Sequence, residues 1–115
     1  MLPETDLARI WRYVDRRNER IRPEARDQIR IELDVCDRAV TILECRPPWA
    51  PERMEPEWTR FPIARLRYTK IRKEWAIYWR DRNLRFHLYD LAEPSQNVDD
   101  LLAEIDSDPT CIFWG

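Results

Sequence analysis

Glycine is almost missing from this chain: Gly115, the final residue, is the only one in 115. A phosphate-cradling loop or a dinucleotide fingerprint needs several glycines where backbone N–H groups close on phosphate, so neither can be built here. Histidine is nearly as scarce. The single His87 excludes paired-histidine metal helices and most histidine-rich zinc centres. Cys36, Cys45 and Cys111 are odd in number, dispersed and without a CxxC pair, which argues against a disulfide framework and for a reducing compartment. Uncharged apolar runs extend only a few residues, far short of the roughly 20 needed to span a bilayer. The opening Met1-Leu2-Pro3-Glu4-Thr5-Asp6 lacks the basic and apolar regions of a secretory signal. A soluble, cytoplasmic protein with no membrane association is expected.

What is present suits one domain. A length of 115 residues with 43% hydrophobic content supports a core without disulfide staples. The formal net charge of −2 conceals a strong asymmetry. Residues 60–87 carry nine basic and two acidic side chains, whereas residues 88–115 carry seven acidic and no basic ones. A basic middle followed by an acidic tail is the main electrostatic feature. Six tryptophans make the chain tryptophan-rich.

Periodicity divides the chain. Leu7, Ile10, Trp11 and Val14 form one apolar stripe of a helix within residues 1–20, and Pro23 prevents simple continuation. Ile29, Ile31, Leu33 and Val35 alternate with Arg30, Glu32 and Asp34, the period of a half-wet strand. A turn at Cys36-Asp37-Arg38 and a second strand complete a hairpin over 28–46. Residues 47–62 read as a loop, because Pro47, Pro48, Pro51, Pro56 and Pro62 oppose a regular ladder. Its Trp49, Met54 and Trp58 imply that it folds back on the body. Strands over 63–71, 74–80 and 84–89, joined by short turns, predict a three-stranded meander across 63–89. In the fourth strand Trp75, Ile77 and Trp79 share a face, and in the fifth Leu84, Phe86 and Leu88 share a face. Asn97 is the N-cap of a short helix over 98–107, followed by an apolar, docked tail at 108–115. The expected fold is α+β: a five-stranded antiparallel meander with an N-terminal helix and a short C-terminal helix.

Arg46-Pro47-Pro48-Trp49, Arg67-Tyr68, the run Trp75-Ala76-Ile77-Tyr78-Trp79-Arg80-Asp81-Arg82-Asn83, Phe86-His87-Leu88-Tyr89 and the ending Cys111-Ile112-Phe113-Trp114-Gly115 together carry a resemblance. The chain resembles the small bacterial domain-of-unknown-function family numbered three thousand and twenty-four, over most of its length. The resemblance implies one compact domain in a bacterial cytoplasm and supplies no catalytic residue.

The leading functional expectation is a non-enzymatic binding or interaction module, with no cofactor and no metal site. Trp49, Trp58 and Trp114, in loop and tail, are candidates for a partner-binding groove or a homodimer surface, set against a plain role in plugging the sheet's margins. Trp11, Trp75 and Trp79 are assigned to the core. The alternative is nucleic-acid binding through Arg65, Arg67, Lys70, Arg72, Arg80, Arg82 and Arg85, with Tyr68, Tyr78, Tyr89 and Trp75 interleaved. Aromatic faces stack bases and guanidinium forks grip phosphates. Against it stands the prospect that the acidic C-terminal helix lies on these strands and neutralises them. A second alternative is a small hydrolase with His87 as general base, oriented by Asp81 or Asp90, although no serine or cysteine is evidently paired with it. A Cys36, Cys45, Cys111 and His87 zinc site has no paired ligands from one turn and is not expected.

Overall fold

The computed structural model describes residues 2–47 and 58–115. Five strands form one antiparallel sheet in simple sequence order: β1 (Arg30–Val35), β2 (Ala39–Arg46), β3 (Thr59–Thr69), β4 (Glu74–Arg80) and β5 (Phe86–Leu88). The helix α1 (Glu4–Glu19) precedes it and α2 (Val98–Ser107) follows it. The α+β meander expected from the periodicity is the observed architecture.

Cross-strand partners share a face. Leu33 pairs with Ile42, which pairs with Ala64, and Val40 pairs with Leu66, which pairs with Ile77. These residues form the inner face, and both helices pack there. Ile10 and Val14 of α1 and Leu101, Leu102 and Ile105 of α2 meet them in one core. Trp75, fully buried, donates its indole N–H to Asp6 Oδ2 at 2.8 Å, which fastens the first turn of α1 to β4. Asn18 closes the β1 edge by accepting from Ile31 N at 2.8 Å and donating to Ile31 O at 3.0 Å. Two backbone groups that would otherwise recruit a further strand are thereby occupied.

Asn97 caps α2, accepting from Asp99 N at 3.1 Å, as its position before an apolar run suggested. The tail docks through Asp108, whose carboxylate accepts the backbone N–H groups of Phe113, Trp114 and Gly115. Phe113 is buried beneath it.

Three expectations need correction. Residues 59–62, assigned to the loop, are strand, because β3 begins at Thr59 and passes through Pro62, and the rest of that loop from residue 48 to 57 lies outside the described residues. Pro62 is tolerated because the β2–β3 register shifts between Ile42 and Leu43, and such an irregularity relaxes the ladder where proline cannot donate. Trp11 does not join the core and is 43% exposed. The buried stripe of α1 runs through Ile10 and Val14, which leaves Trp11 on its flank. The last strand is also shorter than 84–89, because Leu84 takes a left-handed conformation with φ 63° that ends regular pairing before Phe86.

Candidate nucleic-acid interface

The sheet face away from the helices is read from the same register. Thr41 pairs with Arg65, Arg65 with Tyr78 and Tyr78 with Leu88, giving one row across four strands. The next row runs from Ala39 through Arg67 to Ala76. Arg80 and Phe86 are partners on the same face. Arginine and aromatic side chains therefore share this face, brought together by cross-strand pairing.

Each arginine is held by stacking. The Arg65 guanidinium lies 3.9 Å from the Phe86 ring centroid, Arg67 lies 5.3 Å from Tyr78, and Arg80 lies 4.1 Å from Phe61. Two are also tied at Nε: Arg65 donates to Thr41 Oγ1 at 3.0 Å and Arg80 to the Pro62 carbonyl at 2.8 Å. With Nε anchored, the terminal Nη groups make no hydrogen bond among the described residues. A planar cation with a fixed stem and two free N–H edges suits bidentate phosphate binding and loses little side-chain freedom on doing so. Its outer π-surface can also stack a base.

Two adjoining grooves border the arginines. One, of about 450 Å³, is lined by Arg38, Arg67, Tyr68, Lys70 and Tyr78 among others. The other, of about 490 Å³, is lined by Cys36, Asp37, Arg38, Thr41, Arg65 and Arg67. They share Arg38 and Arg67, so the face has a continuous basic depression at the end where the β1–β2 and β3–β4 turns lie.

The acidic helix does not lie on this face. It packs against α1 and β4 on the inner side, and its carboxylates engage α1. Asp106 Oδ1 accepts from Arg17 Nη1 at 3.0 Å, Arg20 Nη1 at 3.0 Å and the Tyr13 hydroxyl at 3.1 Å. Burial opposes ionisation of Asp106, but the Arg20 and Tyr13 hydrogen bonds and the two guanidinium charges outweigh it and hold the carboxyl below its ordinary value. Asp99 lies 3.9 Å from Arg9. Among the described residues, no carboxylate pairs with Arg38, Arg65, Arg67 or Arg80.

The β1 margin of the same face is closed on itself. Arg30 stacks on Trp58 at 4.1 Å and bonds Glu32 Oε2 at 2.6 Å. Burial works against Glu32 ionisation, yet the Arg30 contact keeps its carboxyl low. Burial and the neighbouring Glu32 push the Cys45 thiol up.

The remaining sequence candidates fall elsewhere. Lys70 and Arg72 occupy the β3–β4 turn, Arg82 the β4–β5 turn, and Arg85 the residue before β5. Tyr68 stacks on Trp75 on the inner side, and Tyr89 is buried against Phe113. Trp114 lies beneath Arg17 at 3.8 Å, on the opposite side of the sheet from Trp58, so these two do not line one groove. Trp49 lies outside the described residues. His87 Nε2 bonds Asp81 Oδ2 at 2.7 Å, the orientation expected for a base and its orienter. That bond, followed by the Arg85 and Asn83 backbone N–H groups, pulls the Asp81 carboxyl down to about 2. Among the described residues no hydroxyl or thiol is bonded to His87. The imidazole stacks on Trp79 at 4.8 Å.

Arg38, Thr41, Phe61 and Phe86 were not singled out from sequence. Arg38 sits in a turn where an arginine carries no pattern. Thr41 and Phe86 acquire their role only through strand register, and Phe61 only through the stacking of Arg80 on its ring. Alternation does place Phe86 with Leu88 on one face, the one available signal.

No curated protein and no solved structure matches the chain significantly. The matching family model, described as a domain of unknown function (DUF3024), covers residues 2–115. The chain belongs to that family of uncharacterised function.

Proposed function

We propose that this protein is a binding module rather than an enzyme, and that its ligand is single-stranded nucleic acid held on the sheet face away from the helices. The observation that carries the reading is the arrangement of Arg65, Arg67 and Arg80. All three are stacked on aromatic rings, and none has a carboxylate partner among the described residues. Holding cations in place beforehand lowers the entropy lost when phosphate binds. Tyr78 and Phe86 supply half-buried rings in the same rows, and base stacking on such platforms tolerates sequence. Arg38 and Lys70 extend the positive track along the two grooves. Three free cysteines, two of them exposed, suit a reducing compartment such as the bacterial cytoplasm.

Hydrolysis at His87 is less well supported, because the His87–Asp81 pair serves a turn and no hydroxyl or thiol among the described residues is bonded to it. The test is amide and aromatic chemical-shift mapping of the protein titrated with a short oligothymidine. Shifts should concentrate at Thr41, Arg65, Arg67, Tyr78 and Phe86 and spare α1. Shifts confined to α1, or none at protein and strand concentrations of about 0.1 mM, the weak end of non-specific binding, contradict the reading.

A further inference from the structure

Because Gly115 is the lone glycine, every left-handed backbone position inside the chain falls to an L-residue that resists it. Among the described residues four non-glycine residues have positive φ: Lys73, Leu84, Asp108 and Cys111. Lys73 is a solvated turn residue, Asp108 ends α2, and Cys111 lies in the tail, and each carries a polar or small side chain. Leu84 differs: its strained backbone, at φ 63°, presents a large apolar side chain that is 50% exposed.

The strain is held by a dense cage. Asp81 Oδ1 accepts the N–H groups of Asn83 at 2.8 Å and Arg85 at 3.0 Å. Its Oδ2 bonds His87 at 2.7 Å, and its backbone N–H donates to Arg85 O at 2.8 Å. Leu84 N donates to Asp81 O at 3.0 Å. Backbone strain persists only where the surroundings over-determine it, and it gathers at working parts of a molecule. Exposed Arg82 and Arg85 flank the leucine, and neither is ion-paired among the described residues. The chain then runs directly into β5, whose Phe86 and Leu88 belong to the proposed base-stacking face.

A rigid apolar tip between two cations is the device by which proteins part a base step: the side chain enters the stack while the cations hold the adjoining phosphates. We infer that the β4–β5 hairpin is a wedge, with Leu84 inserting between bases where a duplex opens into the single strand carried by the sheet. This inference rests on the nucleic-acid reading above and adds a substrate class to it, the duplex–single-strand junction.

The test uses the full chain and three oligonucleotides: a single strand, a blunt duplex, and a duplex with a single-stranded overhang carrying 2-aminopurine at the first paired position. Unstacking at the junction should raise 2-aminopurine fluorescence, with the junction bound about 5-fold or more tighter than the single strand, the advantage expected of one extra inserted contact. L84G and L84N should abolish the fluorescence rise and the junction preference. Both should keep single-strand affinity within about 2-fold, and neither should lower Tm, because Gly and Asn accept this backbone conformation. An unchanged fluorescence rise in both variants overturns the wedge. So does equal affinity of the wild type for junction and single strand, or a dimer that dissociates in L84N without any junction preference. Binding to none of the three overturns the nucleic-acid reading itself, and the wedge with it.

Discussion

Replacing Asp106 with asparagine or alanine separates two jobs that the acidic helix could have had, holding α1 or shielding the basic strands. In the structure one oxygen, Oδ1, serves Tyr13, Arg17 and Arg20 at 3.0–3.1 Å. The Arg20 side chain is 58% exposed and the contact is worth a few tenths of a kcal/mol after solvent screening. Arg17 and Tyr13 are more enclosed, and a hydrogen bond to a charged acceptor there contributes about 1 kcal/mol each. D106A should therefore cost about 2–3 kcal/mol, and D106N, which keeps an acceptor but loses the charge, about half of that. At this chain length about 2–3 kcal/mol lowers Tm by roughly 8–12 °C. The sign with pH follows from the depressed carboxyl. Its stabilisation is present above the carboxyl's unfolded-state pKa, about 4, and is lost as pH falls through the lower folded value. Urea denaturation at pH 7 should separate wild type from D106N, and the two curves should converge as the Asp106 carboxyl becomes protonated in acid. Oligonucleotide affinity should stay within about 2-fold in both variants, because the Asp106 charge is engaged by Arg17 and Arg20 of α1 rather than by the strand arginines. Wild-type stability in D106A at pH 7 refutes the local reasoning. A tenfold gain in affinity means the helix carboxylates do shield the strands.

Further predictions concern the face itself. Phe86→Leu keeps bulk but removes the ring beneath Arg65, so single-strand affinity should fall roughly 5- to 50-fold, with Tm moving by less than about 4 °C, in paired anisotropy and melting measurements. Thr41→Val frees Arg65 Nε without cutting the side chain. A loss of roughly 3- to 10-fold in affinity is expected, from one released anchor, and unchanged affinity means the anchoring is immaterial. Tyr89 is held neutral by burial and by its 2.7 Å bond to Glu104, which push its phenol up to about 12. Because the folded value is raised, the stabilisation is complete below pH 10 and lost as pH rises toward 12. Phenolate absorbance should show two tyrosines titrating late, Tyr89 and also Tyr13, whose phenol burial and Asp106 push up further, together with alkaline unfolding, and Y89F should remove the earlier of these two late steps.

Most of the fold was legible because its signals are local. Alternation from Ile29 to Val35 and from Trp75 to Trp79 marks strands, Asn97 marks a helix start, and short turns between successive strands leave a meander as the simplest topology. What was misread depended on tertiary context. Pro62 looked incompatible with a strand until the β2–β3 register shift gave it a place. Trp11 fitted the apolar stripe by spacing, yet α1 turns Ile10 and Val14 inward and leaves it on the flank. Leu84 fitted the last strand by alternation, but the Asp81 cage bends the chain there. The proposed interface was half legible. The abundance of arginine over residues 60–87 was plain, whereas which arginines share a face with which rings depends on cross-strand register. Nor could spacing say which side of the sheet the acidic helix covers. The structure answers that through Asp106 and the α1 arginines.

The most direct test of the central claim is the salt dependence of single-strand affinity, measured by fluorescence anisotropy on wild type and on R65A/R67A. If Arg38, Arg65, Arg67 and Arg80 each meet a phosphate, log affinity should fall linearly with log salt with a slope of about −3, and the double variant should reduce that slope by about 1.4. A slope near zero, or one that R65A/R67A leaves unchanged, contradicts phosphate binding on this face.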